Sequence, residues 1–391
     1  MPQVLFGIDS FLSDADKFRN LRLALVTNNA ATTSTGTLSR VALLKSNFDL
    51  VKLFSPEHGL TAQGEDGAFQ GNISDVATGL PVISLYGDRL KPSEEDLFDI
   101  DAILFDIPDV GCRFYTYLWT MTHIMEACAE FNKPLFILDR PNPISGDINL
   151  TEGPMLDETN CSSFIGRWSI PVRHSCSLGE LANYFAATRV KGLDLQIIKV
   201  QNWNREQSTG DSKWSFVQPS PAIPDAETAL FYPGMGLHEG INVNEGRGTS
   251  SPFKTFGAPW INAGQMHKEF ENLKLPGITG RPYSYEPGDG LYHNEKCYGL
   301  ELKISDASSF RPVRTGLELI KLIASLYPAH CEERLYKTRA NPAGERHLDK
   351  LTGVDNSFEK IRNKEMSEFS QDVSEWKKII SPYLLYAGTH I

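Results

Sequence analysis

A carboxylate beside an imidazole at the end of a strand can move a proton, and Glu57-His58 is such a pair. The run Leu50-Val51-Lys52-Leu53-Phe54 reads as a buried strand, Pro56 stops it, and Gly59 lets the backbone turn. A carboxyl group partly withdrawn from water keeps its proton to higher pH and can act as a general acid. The plainer alternative is a turn carboxylate bonded to nearby amides. The same design recurs twice. Ala102 to Asp106 runs into Pro108, Asp109 and Gly111, and Pro134 to Leu138 runs into Asp139-Arg140-Pro141-Asn142-Pro143. Strand ends of an open parallel sheet share one edge, where such folds bind ligands. Glu57, Asp106 and Asn142 are therefore expected to gather there.

Other polar residues extend the set. Asp106, Asp109, Arg113, Tyr115 and Tyr117 place two acids, a cation and two phenols at the entrance of a helix. Arg113 could hold a carboxylate bidentately, or pin the loop to an aspartate, and Tyr117 could be core. Arg140 and Asn142 follow the third strand, where Asp139-Arg140 could be purely structural. From His238 to Gly248, Glu239, Asn242, Glu245 and Arg247 are interspersed with glycines that let a backbone approach a ligand closely. That pattern favours a binding loop over a solvated one.

Several chemistries are not supported. The first strand is followed by Asn28 to Gly36, with no glycine-rich dinucleotide fingerprint and no phosphate-loop lysine. No G-x-S-x-G elbow and no H-E-x-x-H pair occurs. The 391 residues carry a net charge of −11, which argues against a nucleic-acid backbone as partner. The six cysteines include no C-x-x-C pair. No apolar run reaches membrane-spanning length. Met1-Pro2-Gln3 opens no signal peptide, which predicts a cytoplasmic chain, or a periplasmic or secreted one if the native N-terminus was trimmed.

The elements that must position these residues alternate. Strands are expected at 21–27, 50–54, 81–86, 102–106, 134–138 and 193–200. Helices are expected from 37, 93, 115 and 177, the last opened by the capping box Ser177-Leu178-Gly179-Glu180. This alternation predicts an α/β fold, a parallel sheet with helices on both faces, over residues 1–205. Residues 202–260 are rich in Pro and Gly and read as irregular but functional. Beyond them come a helix near 264–273, a strand near 298–304, a helix opened by a capping box at Thr315, and a helix over 367–380. Residues 206–391 are read as a smaller α+β domain.

Nine stretches, in order, resemble a known family. They are Ser55-Pro56-Glu57-His58-Gly59, Asp109-Val110-Gly111 with Arg113-Phe114-Tyr115-Thr116-Tyr117, and Asp139-Arg140-Pro141-Asn142-Pro143. Next come Glu152-Gly153-Pro154, Ile170-Pro171-Val172-Arg173-His174 and Gly179-Glu180-Leu181-Ala182. The last are Tyr232-Pro233-Gly234, Asn244-Glu245-Gly246-Arg247-Gly248-Thr249 and Gly257-Ala258-Pro259-Trp260. Over roughly residues 7 to 320 the set is similar to the YbbC/NamZ-like family of bacterial exo-β-N-acetylmuramidases. The resemblance implies a Rossmann-like domain plus an auxiliary domain with the active cleft between them. It also implies release of terminal β-linked N-acetylmuramic acid from peptidoglycan fragments, in cell-wall turnover, with no metal or nucleotide cofactor. The partner would be a small carbohydrate, a muropeptide or disaccharide. Glu57 maps to the leading catalytic position with His58 beside it. The second group stays open among Asp106, Asp109, Glu239, Glu245 and the substrate's own acetamido group. Pro108, Ala222 and Ile241 stand where the family commonly has Gln, Asn and Thr, which leaves a non-catalytic binder of muropeptides or another acidic amino sugar as the alternative.

Overall fold

A computed structural model of the chain describes residues 2–64, 73–87, 89–211, 214–338, 341–369 and 373–388. Its first part contains α1 (Gly7–Ser13), β1 (Arg22–Thr27), α2 (Ser39–Lys45), β2 (Asp49–Ser55), β3 (Ile73–Ser74) and β4 (Pro81–Ser84). It continues with α3 (Glu94–Leu97), β5 (Ala102–Asp106), α4 (Tyr117–Glu130), β6 (Leu135–Leu138), α5 (Leu178–Thr188) and β7 (Leu195–Ile198). The strands form a seven-stranded sheet in the order β3-β4-β2-β1-β5-β6-β7. Its pairings are parallel except for β3 with β4 at one edge.

The apolar runs explain the parallel sheet. β5 and β6 are buried along their whole length, as strands covered on both faces must be. Alternate residues feed two cores. Ala24, Val26, Ile103 and Phe105 join Met121 and Ile124 of α4 and Leu181 and Phe185 of α5. Leu23, Leu25, Ala102 and Leu104 join Ile8 and Phe11 of α1 and Leu43 of α2. Ser177 caps α5 through the expected box, its hydroxyl accepting from Glu180 N.

The second part contains α6 (Ala226–Met235), β8 (Thr255–Ala258), α7 (Ala263–Leu273), β9 (Ile278–Tyr285) and β10 (Cys297–Ile304). It ends with α8 (Pro312–Leu326), α9 (His347–Thr352), α10 (Ser357–Arg362) and α11 (Val373–Ile380). β8, β10 and β9 form a small antiparallel sheet. Here the sequence reading needs corrections. The supposedly irregular segment holds α6, with Pro233 inside it, followed by a 3-10 turn over Gly236–Gly240. α8 begins at Pro312, not at a Thr315 cap, because Pro is preorganised for the first helical position and lacks only an N–H that would be unpaired there. The expected helix over 367–380 is a 3-10 turn at Ser367–Phe369 and then α11, with 370–372 outside the described residues.

Candidate active site

β2 ends at Ser55, and the chain then turns sharply. His58 has φ 65° and Gly59 φ 69°, with Gly59 N donating to Pro56 O at 3.1 Å. A left-handed conformation costs a non-glycine residue about 1–2 kcal/mol, so the histidine is held there by its surroundings. His58 Nδ1 lies 2.8 Å from Gly64 O, and its ring meets Tyr117 edge-on at 6.3 Å. The turn lifts Glu57 off the sheet edge to a position 8% exposed, where its Oε2 accepts the Thr116 hydroxyl at 2.7 Å. Thr116 is the residue before α4, so strand end and helix start meet at this carboxylate.

Glu57 and His58 open into a cleft of about 310 Å³, the size range of small-molecule sites. Its walls are aromatic. Tyr232 packs edge-on against Phe114 at 5.0 Å, Phe253 at 4.9 Å and Tyr115 at 6.0 Å, while Tyr86 meets Phe164 at 5.1 Å. Burial beside Tyr117 raises the Tyr115 phenol well above its ordinary range, so it stays neutral.

A second carboxylate lines the same cleft. Glu239, in the 3-10 turn after α6, takes a hydrogen bond from Arg247 NH2 at 2.7 Å, with His347 Nε2 3.7 Å away. Behind Arg247 lies Glu245, 3.2 Å from the Arg247 Nε and 3.5 Å from Arg334 NH1. Burial would raise the Glu239 carboxyl, but Arg247 and His347 outweigh it and hold the group well below the usual range. Glu245 moves the other way, raised by burial and by the charge on Glu239. Arg247 stacks over Phe253 at 5.1 Å, and His347 lies flat on Tyr336 at 4.4 Å. The cleft thus joins the Glu57 carboxyl, which accepts from a hydroxyl, with a Glu239 carboxylate kept anionic by a guanidinium.

Family comparison decides what this cleft belongs to. Residues 23–227 match the family model for the N-terminal part of the exo-β-N-acetylmuramidase NamZ, and residues 230–386 match its C-terminal part. This chain belongs to the NamZ family. It is 38% identical over 388 residues to the peptidoglycan β-N-acetylmuramidase NamZ of Bacillus subtilis (strain 168), covering 98% of this chain and 92% of that one. Two crystal structures of DUF1343 family proteins from Bacteroides fragilis NCTC 9343 are also similar. One has TM-score 0.88 at 29% identity and the other 0.75 at 28%, each covering 98% of this chain and 99% of the other. The α/β fold is shared with these structures.

Of the candidate catalytic and binding residues named from the sequence, Glu57, His58, Tyr115, Glu239 and Arg247 line the cleft, and the motif residues Phe114, Thr116 and Tyr232 line it beside them. The remaining candidates do not. Asp106 ends β5 on the same sheet edge as expected, but it is fully buried and bound by Arg140 at 2.6 and 3.0 Å. Arg140 also donates to Thr32 O at 2.6 Å, so the pair fills the crevice where strand order reverses between β1 and β5. Asp109 accepts from Gly111 N, lies 3.2 Å from His174 Nε2 and borders a separate space of about 40 Å³. Arg113 spends its guanidinium on the carbonyls of Pro154, Ile170 and Leu351, and burial lowers it to about 10. Tyr117 donates to Pro219 O as a core residue. Asn142 ties Cys176 O to Ile144 N, and Asn242 ties His330 O to Glu332 N. Glu245 sits one layer behind Arg247.

Sequence reasoning missed Thr116 as a partner of Glu57, and also His347, Lys350 and Asn341, all bordering the cleft. Thr116 stood inside a quoted motif. The other three lie past residue 320, in short elements with no periodic signal. Of the departures from the family pattern, Ala222 borders the cleft, Pro108 the separate small space, and Ile241 is buried. All six cysteines are free and buried. Among the described residues no group of three His, Cys, Asp or Glu is placed to hold a metal ion, and no helix is long and apolar enough to cross a membrane.

Proposed function

We propose that the chain is a glycoside hydrolase releasing terminal β-linked N-acetylmuramic acid from peptidoglycan fragments. The observation that carries this reading is the pair Glu57 and Glu239 on one aromatic-walled cleft, in a chain 38% identical to a peptidoglycan β-N-acetylmuramidase. Glu57 donates its proton to the glycosidic oxygen as the bond from the anomeric carbon breaks. Glu239, kept anionic by Arg247, faces the positive charge that develops on the sugar ring, and water then adds to the anomeric carbon and gives up the proton that restores Glu57. Tyr232, Phe114 and Phe253 offer apolar surface to the ring faces. On this reading residues 1–205 and 206–391 are two units, one presenting Glu57 and the other Glu239, with the cleft at their junction. The test is incubation with a β-linked N-acetylmuramyl–N-acetylglucosamine disaccharide, without added cofactor. Free N-acetylmuramic acid is the expected product. An intact disaccharide in the presence of folded protein overturns the reading.

A further inference from the structure

The positive groups of the cleft are not equivalent. Arg247 is consumed by Glu239 and Glu245. Lys350 of α9 also borders the cleft, and its ammonium donates to the backbone carbonyl of Glu345 at 2.9 Å. Among the described residues no carboxylate lies within ion-pairing distance of it. An ammonium has three donors, so one carbonyl leaves it under-supplied. Burial and the neighbouring Arg346 lower its affinity for its proton by more than the carboxylates of Glu345, Asp349 and Glu333 raise it, and an anion beside it would restore that affinity. In the same lining, Asn341 Nδ2 is buried with no hydrogen-bond partner. A buried donor left unpaired is costly, so a ligand oxygen that accepts from it gains affinity.

Muramic acid differs from glucosamine by a lactyl ether on the 3-oxygen, which ends in a carboxylate. We infer that Lys350 is the specificity-determining residue that binds this lactyl carboxylate by a charge-assisted hydrogen bond, with Asn341 Nδ2 as its second donor. The inference rests on the muramidase reading above and names the group on this chain that would tell a muramyl from a glucosaminyl terminus.

The experiment measures equilibrium binding of N-acetylmuramic acid and of its lactyl methyl ester to the full chain, by calorimetry. It also measures kcat and KM on an aryl β-N-acetylmuramide. The parent is expected to bind the acid at least tenfold more tightly than the ester. Lys350→Met should reduce that ratio to within twofold, with its loss of kcat/KM appearing chiefly in KM. Lys350→Arg should keep most of the preference, and Asn341→Ala should weaken acid binding severalfold. A parent that binds acid and ester equally, or a folded Lys350→Met protein that keeps the parent ratio, overturns the inference. If the parent cleaves the muramide but the ratio ignores Lys350, only this inference falls. If the Lys350-dependent ratio is found but nothing is cleaved, carboxylate recognition stands and the hydrolase reading falls.

Discussion

At the scale of single residues, Glu57 and Asp106 look alike in sequence, since each is an acid following a buried apolar strand. Their access separates them. Asp106, paired with Arg140, is sealed, whereas Glu57, which accepts from the Thr116 hydroxyl, borders a cleft. Buried ion pairs hold loops in place, and the Arg140 pair leaves Asp106 no face open to a substrate. Glu57→Gln keeps the size and most of the hydrogen bonding but cannot donate a proton. Turnover of an unactivated muramyl disaccharide should fall by ~10²–10⁴ with folding retained. Aryl glycosides, whose leaving groups need less protonation, should lose less. Equal turnover by parent and variant on the disaccharide would make Glu57 a turn residue and pass the role of proton donor to another group of the cleft. The distinction between the two acids was not legible beforehand, because Arg140 lies far from Asp106 in sequence and only the folded sheet brings them together.

At the scale of elements, the strands were legible because burial on both faces demands continuous apolar runs; β1, β5 and β6 hold such runs, and β2 holds one interrupted by Lys52. α6 was not, because Pro233 and Gly234 read as breakers. The reason for the glycine is a helix crossing. A Cβ on Gly234 would stand 1.9 Å from Pro312 O, and one on Gly316 would stand 2.1 Å from Gly234 O. α6 and α8 therefore touch backbone to backbone, and the turn carrying Glu239 continues directly from α6. Small residues at this crossing serve packing, at the expense of helix propensity. Gly316→Ala should force the helices apart and destabilise the chain by about 1–3 kcal/mol, as overpacking does. It should also lower kcat through displaced Glu239, although Gly316 does not line the cleft. A variant with parent stability in urea would show that the crossing has slack. α9, which supplies His347 and Lys350, was missed for a different reason: six residues hold too few apolar positions to show a period.

At the scale of the whole molecule, the C-terminal segment returns to the first sheet. Trp376 Nε1 donates to His174 O at 3.1 Å, Leu385 N to Glu180 Oε1 at 3.0 Å, and the Tyr386 hydroxyl to Asp139 Oδ2 at 2.5 Å. The Tyr386 ring packs on Trp203 at 4.9 Å. Asp139 also accepts from Ser177 Oγ and Gly179 N, so the cap of α5, the end of β6 and the tail converge on one buried carboxyl. Burial raises this carboxyl to about 6, against the pull of those donors. In the unfolded chain an aspartate titrates near ~3.9. The folded state therefore binds the extra proton between those values. The stability associated with that proton is complete below pH ~4 and is lost as pH rises through about 6, by about 3 kcal/mol in all. Asp139→Asn removes the titration, so its stability relative to the parent should improve as pH is raised from 4 to 7. Tyr386→Phe removes a donor that favours the charged form, and hydrogen bonds to charged groups contribute about 1.5–3 kcal/mol. Its cost should accordingly be larger at pH 7 than at pH 4.5, and that difference should vanish when Asp139 is already Asn. Urea unfolding of the four proteins at both pH values makes the measurement. A Tyr386→Phe cost that is the same at both pH values would mean that the hydroxyl holds the tail through the bond it accepts from Val200 N, and that Asp139 is not the group that couples the tail to pH.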